Sequence, residues 1–188
     1  MIKGYTTVEK IENYLLTEID ASFESQIERW IEAVEKYIDT FTGRNFIADT
    51  VASIRIYEGD MTDSLLIDDC IQITKLEIDD EEIDSDDYFI YPPNNLPKKK
   101  IVLDASLFPC GNQNINVTAK WGYSATVPAD IEFVATVLMA GLINASRQEG
   151  TAQSEAIGAY SISYSTEQQK SDFDKVDNIL KSYIKYNF

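Results

Sequence analysis

Residues 114–143, NINVTAKWGYSATVPADIEFVATVLMAGLI, contain the change of period on which the fold depends. The first eight residues alternate polar and apolar side chains, which is typical of a half-buried β-strand. Beyond Pro128 the apolar residues recur every three or four positions, which indicates a helix, and proline suits the first helical position. The stretch therefore predicts a strand that leads into a broad apolar helix, which we expect to end at Gly150.

Two helices are predicted upstream of this stretch. Residues about 7–17 form a short one, with Thr6 and Glu9 at the spacing of a capping box. Residues about 22–41 form a long amphipathic helix that we expect Gly43 to stop. Trp30 lies on its apolar stripe and is predicted to be core.

The segment that follows the apolar helix is predicted to be an arm and a last helix. Residues 154–166 are polar, and within them 160–165 alternate like a strand or an extended arm. A final helix is expected over about 171–186, capped by Ser171.

Between residues 48 and 127 the apolar residues recur at the two-residue period of β-strands. Alternating or short apolar runs at 53–57, 65–67, 71–78, 88–91, 101–103 and 114–121 are separated by glycine and proline turns. We predict an α+β fold, a mainly helical core of four helices with an inserted antiparallel β region of five or six short strands. The expected parts of this single domain are a helical hairpin (1–47), the β region (48–127) and a helix-arm-helix (128–188).

The composition excludes several classes of function. The chain has 188 residues with 16 Lys and Arg, 32 Asp and Glu and no His, which gives a net charge of −16. Without histidine there is no imidazole base, no Ser-His or Cys-His pair and no histidine metal ligand. So acidic a chain is also repelled by phosphate, so that sequence-independent binding to nucleic acid is not expected.

The same composition indicates an intracellular place of assembly. Cys70 and Cys110 are predicted to be free thiols, although spacing alone leaves their pairing open. No run approaches 18 apolar residues, and the first residues have no apolar signal region. We expect no membrane span and assembly in the cytoplasm.

Much of the negative charge lies in the β region. Residues 48–100 carry five basic and fourteen acidic groups, a net charge of −9, and eight of the eleven residues from Glu77 to Asp87 are acidic. Four of them alternate as in a calcium loop, but Ser85 replaces the required glycine and Tyr91 the bidentate glutamate. A solvated hairpin tip between two strands is the preferred interpretation.

Other motifs favour no chemistry. No glycine-rich phosphate loop and no Gly-x-Ser-x-Gly occur, and acidic pairs in so acidic a chain are not informative. The basic run Lys98-Lys99-Lys100 is interpreted as a charge cluster that protects an edge strand. No catalytic residue, metal site or cofactor is predicted.

Four motifs together resemble one protein family. They are the end of the long helix, 41–46 (FTGRNF), the end of the last strand, 119–123 (AKWGY), the start of the apolar helix, 127–131 (VPADI), and the arm 158–164 (GAYSISY). In this order, after a short helix from Val8 to Leu15, they resemble the head-tail connector proteins of tailed bacteriophages and prophages, also called adaptor or head-completion proteins. The resemblance touches most of the chain.

The resemblance implies a structural protein of the virion neck with no catalytic residues and no cofactor. It implies a homo-oligomeric ring on the portal protein that extends the DNA channel and presents a platform to a stopper or tail protein. DNA would pass through without specific binding, and an acidic surface would not hold phosphate. On this hypothesis a channel or rim is formed by Glu77, Asp79, Asp80, Glu81, Glu82, Asp84, Asp86 and Asp87.

The arm and the aromatic chain end are the predicted docking surface for a neighbouring subunit or the portal. Its residues are Tyr160, Ile162, Tyr164, Tyr183, Ile184, Tyr186 and Phe188. Three alternatives stay open from the sequence. They are a stopper or tail-completion neck protein, a carboxylate-dependent hydrolase, and a module that binds a peptide along a β edge.

Overall fold

The computed structural model describes residues 2–147, 154–157, 160–163 and 167–185, and it has the predicted α+β fold. In chain order the elements are α1 (Val8–Leu15), α2 (Glu24–Thr42), β1 (Ser53–Gly59), β2 (Ser64–Ile78), β3 (Glu81–Glu82), β4 (Tyr88–Tyr91), β5 (Lys98–Leu103), β6 (Gly111–Trp121), α3 (Ala129–Arg147), β7 (Ser154–Ile157), β8 (Tyr160–Ser163) and α4 (Glu167–Ser182). Two compact units result. The helical unit comprises Met1–Arg44 and Val127–Phe188, and the sheet unit comprises Asn45–Thr126.

Helix α3 is the centre of the helical unit. It contacts α1, α2, α4 and β8, and its residues 134–144 are all buried. It begins one residue after Pro128, whose carbonyl accepts the first helical hydrogen bond from the Glu132 amide at 3.0 Å. By length and composition α3 could cross a membrane, but 67% of its apolar window is buried inside the protein, as in a core helix. The expected helix end at Gly150 lies outside the described residues.

Two predicted helix caps are wrong. The N-cap of α1 is Thr7, whose hydroxyl accepts from the Lys10 amide, because Thr6 is buried and its hydroxyl shares a 2.7 Å hydrogen bond with that of Thr136. Helix α4 begins at Glu167, so Ser171 lies inside it and is no cap. The predicted stop of α2 is confirmed, since Gly43 has a φ of 68° and its amide donates to the Asp39 carbonyl.

The sheet unit is a six-stranded antiparallel sheet whose buried core lies on one face. The strand order is β1-β6-β2-β5-β4, and β3 pairs with the end of β2. Its core has eleven buried residues, namely Leu65, Ile67, Cys70, Leu76, Ile101, Leu103, Phe108, Ile115, Val117, Ala119 and Trp121. The number of strands agrees with the prediction, but β2 and β6 are long.

Two predictions for the sheet are corrected by its pairing. The runs at 65–67 and 71–78 are one strand, β2, which pairs with β5 at its beginning and with β6 at its end. Register shifts along β2 interrupt the alternation that a single strand would show. The basic run lies in β5, between β2 and β4, and so does not protect an edge. Instead Lys98 Nζ donates to the carbonyls of Pro92 and Pro93 in the turn before β5.

Candidate functional site

The acidic run from Glu77 to Asp87, here called the acidic hairpin, is an ordered tip of the sheet unit. Ile78 pairs with Glu81, so that Asp79 and Asp80 are the two loop residues between β2 and β3. Their φ angles of 51° and 67° are those of a type I′ turn, in which aspartate is one of the favoured residues. The predicted hairpin tip between two strands is confirmed, and all eight acidic side chains except that of Glu77 are exposed.

Local contacts hold the acidic hairpin in place. Lys75 Nζ lies 2.7 Å from Glu77 Oε1 and 3.5 Å from Glu82 Oε2, and so it bridges two carboxylates that face each other across the β2–β3 pair. The hydrogen bond to Glu77 raises the pKa of Lys75. Farther on, the Asp84 side chain accepts from the Asp86 amide at 3.1 Å and begins a short 3-10 turn. The remaining carboxylates are displayed to solvent.

Among the described carboxylates, the two whose pKa is shifted both have it lowered, and no metal-binding group is formed. Within the described part of the chain, no group of three or more Cys, Asp or Glu residues could hold a metal ion. The pKa of Asp20 and that of Asp60 are lowered by hydrogen bonds from Ser22 and Thr62, which is opposite to the shift that a general acid needs. These two carboxylates are exposed turn residues, so the hydrolase hypothesis gains no support from them.

The predicted docking residues are only partly within the described structure. Tyr183 and Ile184 follow α4 and are half-buried in the helical unit, where the Tyr183 hydroxyl donates to Asp130 Oδ2 at 2.7 Å. The Lys185 amide donates to the Thr42 carbonyl, so the chain folds back as far as this residue. Tyr160 and Ile162 belong to β8, while Tyr164, Tyr186 and Phe188 lie outside the described residues.

A buried glutamate, which the sequence pattern did not reveal, fastens the N-terminal segment to α2. Glu35 is 2% exposed, and its carboxylate accepts from the amides of Lys3, Gly4 and Tyr5 at 2.6, 2.7 and 2.9 Å. One turn later, Asp39 accepts from the Tyr5 hydroxyl. In the sequence, Glu35 lies with Glu24, Glu28 and Glu32 opposite the apolar stripe of the helix, a pattern that is typical of a solvent-exposed face.

Trp30 is another residue that differs from its prediction. It is half-buried rather than core, and it lines an apolar groove of about 310 Å³ within the helical unit together with Phe23, Ile27 and Ile143. Glu18, Asp20 and Arg147 supply charged side chains to the lining.

The two thiols of the sheet unit are free and differ in environment. Cys110 is exposed, whereas Cys70 is buried, and its burial raises its pKa to about 12. Because the thiolate is the reactive form of cysteine, this shift lowers the reactivity of Cys70 at neutral pH.

Comparison with known proteins identifies the family. The family model for head completion proteins matches residues 5–186. Among solved structures, a chain from the neck of an empty GTA particle computed with C6 symmetry matches with a TM-score of 0.64 and 13% identity, over 100% of this chain and 94% of that chain. A chain from the neck of a native GTA particle computed with C12 symmetry matches with a TM-score of 0.52 and 15% identity, over 100% and 93%. No curated protein matches. Since the family model covers nearly the whole sequence, the chain belongs to the head completion protein family of structural head-tail connectors.

Proposed function

We propose that this protein is an adaptor of the virion neck. A single connector-like domain assembles as a ring on the portal protein, extends the DNA channel and joins the capsid to a stopper or tail protein. The observation that carries the proposal is the match of the head completion family over residues 5–186. The similar chains from particle necks with C6 and C12 symmetry support a ring. The function is structural, without catalysis, and assembly takes place in the host cytoplasm.

The acidic hairpin gives this proposal a physical role for the excess charge. A ring that encloses DNA must let the phosphate backbone slide past. Lysine or arginine side chains on its inner surface would bind the phosphates and displace the counterions of the DNA, which would hold the DNA in place. The exposed carboxylates of residues 79–87 do the opposite, because they repel phosphate. We place the acidic hairpin at the channel or at its rim.

The predicted docking residues supply the proposed adaptor with a surface for a partner. We propose that β8, with Tyr160 and Ile162, and the chain end from Tyr183 onward contact the portal or a neighbouring subunit. Because Tyr183 also bonds to Asp130 within its own unit, only part of this side chain is available to a partner. The chain end then has two roles, one in its own fold and one in assembly.

Deletion of the gene tests the proposed function directly. Without the adaptor, we expect DNA-filled heads and free tails that do not join, visible by electron microscopy, and infectivity that returns when the protein is supplied from a plasmid. A stopper or tail-completion protein would instead leave an adaptor ring on the portal, detectable by mass spectrometry of purified heads. Normal particles in the deletion strain would overturn the proposal.

Reversal of charge on the acidic hairpin tests the channel placement. We replace Glu81, Glu82, Asp86 and Asp87 by lysine, since these four are exposed and have ordinary backbone angles. We expect roughly tenfold slower DNA ejection at low salt and recovery at high salt, because phosphate binding by lysine weakens steeply with salt. The matched control carries Gln or Asn at the same positions and should eject DNA at nearly the normal rate. Unchanged kinetics in the lysine variant would place the acidic hairpin away from the DNA.

A further inference from the structure

We propose that neighbouring copies of this chain join edge to edge through the sheet unit, with β4 of one copy beside β1 of the next. The proposal rests on the proposed function, since it supplies a contact that would build the adaptor ring. It identifies a surface of the sheet unit, whereas the docking residues considered above lie in the helical unit.

Strand β1 is an edge that displays apolar side chains. Among the described strands it pairs only with β6, so its second side has no strand partner there. Ile54 and Ile56 are 60% and 56% exposed, and as alternate residues they lie on one face of the strand. Arg55 and Tyr57 lie on the opposite face, where they contact Trp121 of the core.

Strand β4 is the opposite edge and has the same character. It pairs with β5 and with no other strand in the described ranges. Phe89 and Tyr91 are 51% and 39% exposed, and they alternate with the half-buried Tyr88 and Ile90. Both sheet edges therefore present large apolar side chains to solvent.

The two exposed pairs lie on the same face of the sheet. In the register of β4, β5 and β2, Tyr91 lies beside Lys100, which lies beside Leu66, while the adjacent Ile101 and Leu65 belong to the core. In the same way Ile54 is opposite Thr118, between the core residues Val117 and Ala119. Phe89, Tyr91, Ile54 and Ile56 are thus all on the face away from the core. A sheet continued from one copy to the next would bring the two pairs together on that face.

The charge pattern points to a second copy as the occupant. Proteins usually guard a sheet edge with charged residues, which prevent unwanted pairing. Here β4 has no charged residue, and Arg55 of β1 is held by Asp68 and by the Trp121 ring, 4.5 Å away. In a chain of net charge −16, surfaces without acidic groups favour self-association, and Glu58 near the end of β1 is the one acidic residue within the two edge strands, although the exposed Asp86 and Asp87 directly precede β4.

The topology of the sheet gives the contact a direction. Each neighbouring pair in the order β1-β6-β2-β5-β4 is antiparallel, so the two edge strands run the same way. Rotation about the ring axis leaves the direction of a strand along that axis unchanged, so β4 would lie parallel to β1 of the next copy. Two different edges in contact make a heterologous interface, which forms a ring when the rotation between copies closes. A β1–β1 contact would instead be isologous and end at a dimer.

Cysteine cross-linking in assembled particles tests the inference. In a Cys110→Ser background, each chain carries one cysteine on β1 (Ile54→Cys or Ile56→Cys) and one on β4 (Phe89→Cys or Tyr91→Cys), and the four combinations cover the register. A disulfide needs Cα atoms about 4.4–6.8 Å apart, so only neighbouring strands qualify. After mild oxidation we expect at least one combination to give a ladder of species beyond dimer on non-reducing gels. Cys70 is buried and does not contribute.

A control cysteine pair shows whether cross-linking is specific to the contact between β1 and β4. The pair Ile54→Cys with Leu107→Cys places the second thiol at a residue that is 51% exposed but outside the strands, and it should give no ladder. Monomers in all four combinations would overturn the inference while leaving the proposed function intact, provided that immunoblots find the chain in particles. A dimer from Ile54→Cys alone would overturn it in favour of a β1–β1 contact. Absence of the wild-type chain from particles would overturn the proposed function as well.

Discussion

Replacement of Glu35 by alanine is expected to lower the free energy of unfolding of the helical unit by about 3 kcal/mol. The carboxylate accepts three backbone amides and is almost fully buried, and alanine would leave those donors without their partner. Lys3 and Gly4 are exposed and can bind water instead, but Tyr5 is fully buried, so water cannot easily replace the bond that its amide loses. Buried donors without a partner cost about 1–3 kcal/mol each.

The measurement is urea unfolding followed by circular dichroism at 222 nm, because all four described helices lie in the helical unit. Glu35→Gln keeps an acceptor oxygen but loses the charge, and we expect about half the effect of alanine. Glu28→Ala is the control, since Glu28 is an exposed glutamate on the same helix, and it should change stability by less than about 0.5 kcal/mol. Equal effects at positions 28 and 35 would contradict the role of Glu35 in fastening the N-terminal segment.

Periodic features of the fold could be predicted from the sequence, because burial of one face leaves a period that can be read. The apolar stripe of α2, its stop at Gly43 and the alternation of β6 are examples. Local signals were less reliable when a tertiary contact competed for the same side chain. Thr6 has the spacing of a cap, but its hydroxyl bonds to Thr136, 130 residues away, and Thr7 caps the helix instead.

The candidate functional surfaces also differ in how far the sequence predicts them. The acidic hairpin could be located from composition, since a segment with eight acidic residues out of eleven cannot be buried in a hydrophobic core. The two apolar sheet edges could not, because Ile54 and Ile56 alternate in the sequence just as buried residues of a strand would. Only the strand order shows that their face is away from the core and that β1 lies at an edge. Alternation fixes which residues share a face, but not which face is buried.

Replacement of Gly122 by alanine is expected to destabilise the sheet unit by about 4 kcal/mol, through backbone strain and overpacking together. Gly122 has a φ of 139°, a conformation that other residues rarely adopt. A Cβ atom there would lie 2.4 Å from the Ala48 Cα and 2.7 Å from the Ile47 carbonyl oxygen. Both neighbours are backbone atoms, and the segment cannot move away easily because the Ala48 amide is bonded to the Ser124 carbonyl at 2.8 Å.

The measurement uses Trp121 fluorescence in a Trp30→Phe background, which leaves one tryptophan, located in the sheet unit. Ala125→Ser is the matched control, because it also adds one heavy atom, but at an exposed position three residues later, and it should unfold like the parent. An unchanged urea midpoint for Gly122→Ala would show that residues 47–48 do not stay close to Gly122 in solution. A large loss of stability would explain why the AKWGY motif contains a glycine at position 122. The glycine lets the strand leave the sheet against a neighbouring backbone, and any side chain would separate the two segments.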